Sequence, residues 1–312
     1  MTPRLRFAPS PNGSLHLGHA LSALANEQVA ARIGGALLLR IEDIDRGRSR
    51  PEHERAIRDD LAWLGLAWDE PPLRQSTRME AYGLALARLE GLGLLYSCYA
   101  TRSEIAAAQA AGGGARDPDG APLYPGLHRD LSPAARQRLL GEGRRAALRI
   151  DMARAVQVAA AMPDGIGLSW CEDGAGPDGQ RGTIAADPLA WGDVIVARRD
   201  TPTSYHLSVV VDDAMQGITH VVRGRDLFHA TAIHRLLQVL LGYPAPRYLH
   251  HRLLLDRDGG KLSKSRGSPG LGALRDEGVT AQALRASLLA DTIDGPDAPP
   301  PFVIPSGAKA TR

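Results

Sequence analysis

Lys261 and Lys264 stand three residues apart in Lys261-Leu262-Ser263-Lys264-Ser265, within a 312-residue chain that has only three lysines. Lysine and arginine together number 37, so arginine supplies nearly all the positive charge. A composition so skewed replaces lysine wherever arginine serves. These two positions therefore call for a compact ammonium on a flexible stem, which a planar guanidinium does not imitate. The stretch follows Asp256-Arg257-Asp258-Gly259-Gly260, a turn-rich run. Lysines on such a loop suit the phosphates of a nucleotide. Taken alone, the same run reads equally well as a solvated surface loop.

A second group is His16-Leu17-Gly18-His19, preceded by Pro9-Ser10-Pro11-Asn12-Gly13. It places two imidazoles where a helix begins, and there the backbone N–H groups and the helix dipole favour anions. Gly18 lets a nucleotide approach the backbone. His16 and His19 are suited to donate ring N–H bonds to phosphate oxygens as charge develops. A third group is Leu39-Arg40-Ile41-Glu42-Asp43-Ile44-Asp45, with Glu42 able to hold an ammonium or simply to be a solvated strand-end acid. The fourth joins Tyr205, Asp212-Asp213 and Val222-Arg223-Gly224-Arg225-Asp226. Arg223 either forks onto a substrate carboxylate or pairs with Asp212 or Asp213.

The elements that must position these residues follow from periodicity. Residues 5–8 read as a short buried strand that stops at the Pro/Gly turn. A helix begins near Leu17 and runs through Ala20, Leu21, Leu24, Val29 and Ile33 until Gly34-Gly35. The apolar run Ala36–Ile41 suits a parallel strand covered on both faces. This is a βαβ unit, whose first turn is the place for phosphate. Helices are expected over 52–64 and 79–92, and strands over 147–150, 194–197, 205–211 and 219–222. A helix is expected over 227–241, with Asp226 as its N-cap. The fold class expected is α/β: a Rossmann-type parallel sheet with an inserted smaller α+β domain and a short helical C-terminal extension. Residues 1–95 and 188–250 would be the two halves of the main domain and 96–187 the insertion. Residues 251–296 would carry the lysine loop and C-terminal helices, and 297–312 a disordered tail.

Composition narrows the partners. Hydrophobic content of 44% and charged content of 23% are ordinary for a globular chain. A net charge of +2 gives no global basic field, so any RNA contact must come from local arginine patches. Two cysteines, Cys98 and Cys171, make no disulfide framework and fit a reducing cytoplasm. No apolar run reaches the length of a membrane span, and no secretory signal is read at the N-terminus.

In this order the groups resemble the class I aminoacyl-tRNA synthetases. Residues 9–19 are similar to the HIGH signature in a His-Leu-Gly-His form, and Lys261–Ser265 to KMSKS with leucine for methionine. Arg6-Phe7-Ala8-Pro9-Ser10-Pro11-Asn12-Gly13, Arg40-Ile41-Glu42-Asp43 and Val222–Asp226 resemble the glutamyl branch. That branch continues into a large helical anticodon-reading domain, for which the residues after Ser265 are too few. The chain thus resembles the glutamyl-Q tRNA(Asp) synthetase family, which activates glutamate without tRNA and attaches it to queuosine in the anticodon loop of tRNA(Asp).

The resemblance implies L-glutamate, ATP with Mg²⁺, and queuosine-containing tRNA(Asp) as partners, in a monomeric cytoplasmic enzyme. It implies that Arg6, Ala8, Ser10, Glu42, Tyr205 and Arg223 bind glutamate, with two guanidiniums for two carboxylates and Glu42 for the ammonium. It implies that His16, Gly18, His19 and Lys264 bind ATP, and that His16, His19, Lys261 and Lys264 act in catalysis. Arg129, Arg136, Arg138, Arg144 and Arg145 in the insertion suit RNA. Many relatives hold zinc with Cys-x-Cys followed by Tyr-x3-Cys. The matching residues here are Cys98, Ala100, Tyr124 and His128. Cys98, Tyr124 and His128 leave at most three ligands where a structural zinc takes four, so zinc is not expected. The alternatives are a truncated glutamyl-tRNA synthetase charging a 3′ terminus, a small-molecule ligase without an RNA partner, and an inactive RNA-binding paralogue.

Overall fold

The computed structural model of the chain describes residues 2–112, 114–162, 167–255 and 269–289. The lysine stretch with Lys261 and Lys264, and the tail at 297–312, lie outside the described residues. The chain opens with β1 (Arg4–Phe7), α1 (Leu17–Ile33) and β2 (Ala36–Ile41). β1 and β2 pair in parallel, Arg4 opposite Ala36 and Phe7 opposite Leu39, as the apolar run demands. α1 stops at Gly34, whose φ of 63° is a left-handed conformation that costs glycine nothing. α2 (Pro51–Trp63), β3 (Leu73–Arg74) and α3 (Met79–Gly91) complete the first part, with β3 parallel to β2.

Next come β4 (Leu95–Cys98), α4 (Arg102–Ala111), α5 (Pro133–Gly141), β5 (Ala147–Ile150) and α6 (Met152–Ala160). Then follow β6 (Ser169–Glu172), β7 (Gly182–Ala185) and β8 (Ile195–Ala197). α7 (Tyr205–Met215), β9 (His220–Gly224), α8 (Thr231–Leu241) and β10 (Arg247–His251) lead to α9 (Leu271–Asp276) and α10 (Ala281–Leu289). The strands form three sheets: β1-β2-β3, β7-β6-β10-β9, and an antiparallel β4-β5-β8. Strands from the irregular middle stretch thus divide between two sheets. β4 and β5 build the antiparallel one with β8, whereas the β6–β7 hairpin extends the β9–β10 sheet, Glu172 pairing in parallel with Tyr248.

The first two sheets meet edge to edge. Thr219 N–H donates to the Arg4 carbonyl at 3.0 Å, and Arg4 N–H donates to Thr219 Oγ1 at 2.8 Å. From β1 the chain moves outward to β2, and β9 lies on the other side. This reversal of strand order opens a crevice beyond the carboxyl ends of β1 and β9. Beneath it α1 packs Ala20, Leu21 and Leu24 against Phe7, Leu39 and Ile41. Leu271 of α9 and Leu284 of α10 join the same cluster and seat the C-terminal helices. A larger cluster joins α3, α6, α7 and α8 through Tyr82, Leu86, Ala155, Leu207, Val210, Leu236 and Leu240.

Two expectations are corrected. Residues 205–211 form the first turns of helix α7, not a strand. Tyr205–Val211 is a short apolar run, and periodicity does not separate a buried strand from a buried helix over that length. Here Ser204 Oγ caps the helix by accepting Leu207 N–H, and every residue from Leu207 to Asp213 is buried. Packing against α3 and α8 overrides the strand preference of Val209-Val210-Val211. Nor does a helix start at Leu227 with Asp226 as its cap. A 3₁₀ turn occupies Arg225–Leu227 and α8 begins at Thr231, with Ala230 at its N-cap. The Leu227 carbonyl is instead taken by Arg223 Nη2 at 3.0 Å, so the chain wraps that guanidinium before the helix begins.

Candidate active site

A cavity of about 340 Å³ fills the crevice. Arg6, Phe7 and Ala8 reach it from the end of β1, and Ser10 and Asn12 from the turn that follows. His16, Gly18 and His19 come from the start of α1, Glu42 from beyond β2, Tyr205 from the first turn of α7 and Arg223 from β9. Four segments distant in sequence thus bring together the described residues that the sequence singled out for glutamate and ATP. Lys261 and Lys264 lie outside the described residues, but Leu254, before their stretch, lines the cavity. Gly270, after it, bridges to His16, and Leu271 N–H donates to the Leu15 carbonyl at 2.9 Å.

The start of α1 is capped by its own imidazoles. His16 Nδ1 accepts the Gly18 N–H at 3.1 Å, and His19 Nδ1 accepts the His16 N–H at 3.1 Å. Each neutral ring therefore carries its proton on Nε2. The ring centroids are 3.9 Å apart. A Cβ at position 18 would stand 3.0 Å from His16 Cε1, so glycine there lets the His16 ring fold over the helix end.

At the other end the charges are buried. Arg6 sits edge-on to Asp213, Nε to Oδ1 at 2.9 Å and Nη2 to Oδ2 at 3.3 Å. Arg40, fully buried, reaches the same Oδ1 through Nη1 at 2.7 Å and Glu42 Oε1 through Nη2 at 3.5 Å. Burial works to raise the Asp213 carboxyl, but Arg6 and Arg40 outweigh it and hold the carboxyl below its ordinary range. For Glu42 burial wins: its carboxyl is pushed up, although Arg40 and Arg6 pull it down. Burial likewise raises the Tyr205 phenol, against the pull of Arg223.

Arg223 is held differently from the expected alternative. Asp213 serves Arg6 and Arg40, while Asp212 accepts from Tyr82 Oη at 2.6 Å, Gln75 Nε2 at 2.9 Å and Arg78 Nε at 3.3 Å. Arg223 pairs with neither aspartate. Its Nε donates to His250 Nε2 at 3.1 Å and its Nη1 to His234 Nδ1 at 3.1 Å. The pairing of Arg40 and Arg6 with Asp213, and the contacts of His234 and His250 with Arg223, were not legible in the sequence. The signal available was polarity inside otherwise apolar elements, Arg40 in β2 and His234 in α8.

Cys98, Tyr124 and His128 do come together. Cys98 Sγ lies 3.3 Å from Tyr124 Oη, which accepts the His128 N–H at 3.0 Å. His128 Nδ1 accepts the Tyr99 N–H at 3.0 Å, and the Arg149 guanidinium lies 3.7 Å above the Tyr124 ring. Among the described residues no group of three or more His, Cys, Asp and Glu is placed to hold a metal ion. In the same residues no helix is long and apolar enough to cross a membrane.

Comparison with known proteins gives concordant matches. The family model of tRNA synthetases class I (E and Q), catalytic domain, matches residues 3–290. A glutamyl-Q tRNA(Asp) synthetase of Rhodobacter capsulatus is 46% identical over 285 residues, covering 90% of this chain and 97% of the relative. That of Symbiobacterium thermophilum is 40% identical, covering 94% of this chain and 88% of the relative. Among solved structures, a glutamate-tRNA synthetase from Elizabethkingia anophelis superposes with a TM-score of 0.68 at 29% identity. The match covers 86% of this chain but 53% of that one, so the chain spans about half the length of that protein. With the parallel sheet and its switch-point crevice matched across the catalytic core, the chain is a ligase of the class I tRNA synthetase family, in the branch of the glutamyl-Q tRNA(Asp) synthetases.

Proposed function

We propose that the chain activates L-glutamate with ATP in the absence of tRNA and then transfers it to the queuosine base in the anticodon loop of tRNA(Asp). The observation that carries this reading is the identity of 46% and 40% to two glutamyl-Q tRNA(Asp) synthetases over nearly their whole lengths. The cavity supports it by charge. Arg6 and Arg223 bring two guanidiniums and Glu42 one carboxylate, complementary to the two carboxylates and one ammonium of glutamate.

In the first step a glutamate α-carboxylate oxygen attacks the ATP α-phosphorus in line and pyrophosphate leaves. The nucleophile is already an anion, so no general base is needed, and catalysis is positioning plus stabilisation of developing charge. Arg6, Ala8, Ser10, Glu42, Tyr205 and Arg223 hold the amino acid. His16 and His19 present Nε2–H donors and Gly18 the helix end, with Lys264 and Lys261 completing the phosphate side. Mg²⁺ would neutralise charge on the triphosphate. In the second step a hydroxyl of the queuosine cyclopentenediol attacks the acyl carbon, an ester forms and AMP leaves. The insertion grips the anticodon stem-loop by shape through its arginines, and the setting is the cytoplasm.

A glutamyl-tRNA synthetase charging a 3′-terminal ribose is the second reading, favoured by the superposition on the Elizabethkingia anophelis enzyme. The test is glutamate-dependent ATP–pyrophosphate exchange by the purified protein without RNA. Exchange supports the first step as written, and its absence would remove it.

A further inference from the structure

Arg223 is a buried cation whose hydrogen-bond partners among the described residues are all neutral acceptors. Besides His250 and His234, its Nη2 donates to Thr231 Oγ1 at 2.7 Å and to the Leu227 carbonyl at 3.0 Å. Arg6 and Arg40 differ, since they share the carboxylate of Asp213. A guanidinium only donates, so the two ring nitrogens that face Arg223 must be bare. The opposite nitrogens then carry the protons and pass the hydrogen bonds outward. His234 Nε2–H donates to His206 Nδ1 at 3.1 Å. His250 Nδ1–H donates to Glu172 Oε2 at 2.6 Å. Glu172 is fixed in turn by the backbone N–H groups of His250 at 2.9 Å and Gly174 at 3.0 Å.

Two consequences follow. The fork is locked by four of its five N–H donors, which leaves one Nη1–H without an acceptor among the described residues, and Arg223 lines the cavity. Among the described residues no carboxylate bonds to the guanidinium directly. A carboxylate in the place of either imidazole would neutralise Arg223 before a substrate arrived. Burial pushes His250 down to about 4 and His234 well below its ordinary value, which keeps both rings neutral acceptors at neutral pH.

We infer that His234 and His250 are positioning residues that orient Arg223 through neutral acceptors and so leave its charge open to pair directly with a carboxylate of the bound amino acid. This rests on the reading of the cavity as a glutamate site.

The test compares two variants of equal size, His234→Gln and His234→Glu, in glutamate-dependent ATP–pyrophosphate exchange. Gln keeps a neutral acceptor for Arg223, whereas Glu adds a charge. The expected result is a KM for glutamate within about threefold of wild type for Gln, and at least about tenfold above the Gln variant for Glu, with kcat differing less than KM. Equal KM values in the two variants would overturn the inference, because a merely structural role suffers equally from loss of the ring. A second measurement needs no variant: ring ¹⁵N shifts of the wild-type protein at neutral pH. His234 with bare Nδ1 and protonated Nε2, and His250 with the opposite tautomer, support the inference, and an imidazolium at either position overturns it. Wild-type protein without exchange would refute the activity reading instead, while the ¹⁵N measurement still decides the state of the acceptors.

Discussion

Arg6 on β1 and Asp213 on α7, separated by 207 positions in the chain, meet side-on with Nε 2.9 Å from Oδ1. Arg40 closes on the same oxygen at 2.7 Å. One carboxylate thus ties the neighbouring strands β1 and β2 to the helix that brings Tyr205 to the cavity. It also fixes which edge of Arg6 is committed to the protein.

Asp213→Asn leaves two buried guanidiniums with no shared counter-charge. Breaking a buried pair from one side is costly, so the variant should lose about 3 kcal/mol of stability. Urea unfolding measures this. The KM for glutamate should rise as well, because Arg6 loses the group that orients it. A loss below about 1 kcal/mol would show that the carboxylate contributes no more than an exposed pair does.

Glu42 predicts a pH dependence. Burial raises its carboxyl above the ordinary value, and only the ionised form can balance a substrate ammonium. As pH falls through that raised pKa, kcat/KM for glutamate should fall, at a higher pH than an ordinary carboxylate would give. Glu42→Gln should raise the glutamate KM about tenfold or more, leave the ATP KM nearly unchanged and abolish this limb of the profile. A limb that survives the substitution assigns it to another group.

Gly18→Ala separates geometry from stability. The added Cβ lies 3.0 Å from the His16 ring and displaces it. The helix-propensity gain of alanine, about 1 kcal/mol, offsets a weakened cap of similar size. The melting temperature should therefore change little, while kcat/KM for ATP falls about tenfold. An unchanged kcat/KM would mean that the position of the His16 ring does not matter.

His206 and His250 predict acid lability. Burial is the main cause that lowers each to about 4, against an ordinary value of 6.5. Between those values the unfolded chain binds the protons and the folded chain does not, so stability is full above about 6.5 and is lost as pH falls towards 4. The melting temperature should drop by at least about 5 °C between pH 7 and pH 5. His206→Gln should flatten that slope, and an unchanged slope would assign it to other groups.

Much of this site was readable in the sequence because its parts sit in local patterns. His16, Gly18 and His19 share one helix start, and Arg6 and Glu42 end strands whose apolar runs are plain. The switch-point crevice followed from the βαβ unit. What the sequence hid depends on long-range partners. Asp213 read only as an alternative partner of Arg223, whereas α7 is a helix that turns it inward to Arg6. The mistaken strand at 205–211 has the same origin, since a valine run carries no helical period and only packing against α3 and α8 decides it. His234 and His250 lie 16 positions apart on different elements, and nothing local says that both face one guanidinium.

Transfer to queuosine is decided by offering labelled glutamate and ATP to tRNA(Asp) that contains queuosine but lacks its 3′-terminal nucleotides. Stable incorporation of label is expected, and none when the same truncated tRNA lacks queuosine. Label that appears only on tRNA with an intact 3′ end, whether or not queuosine is present, would contradict it.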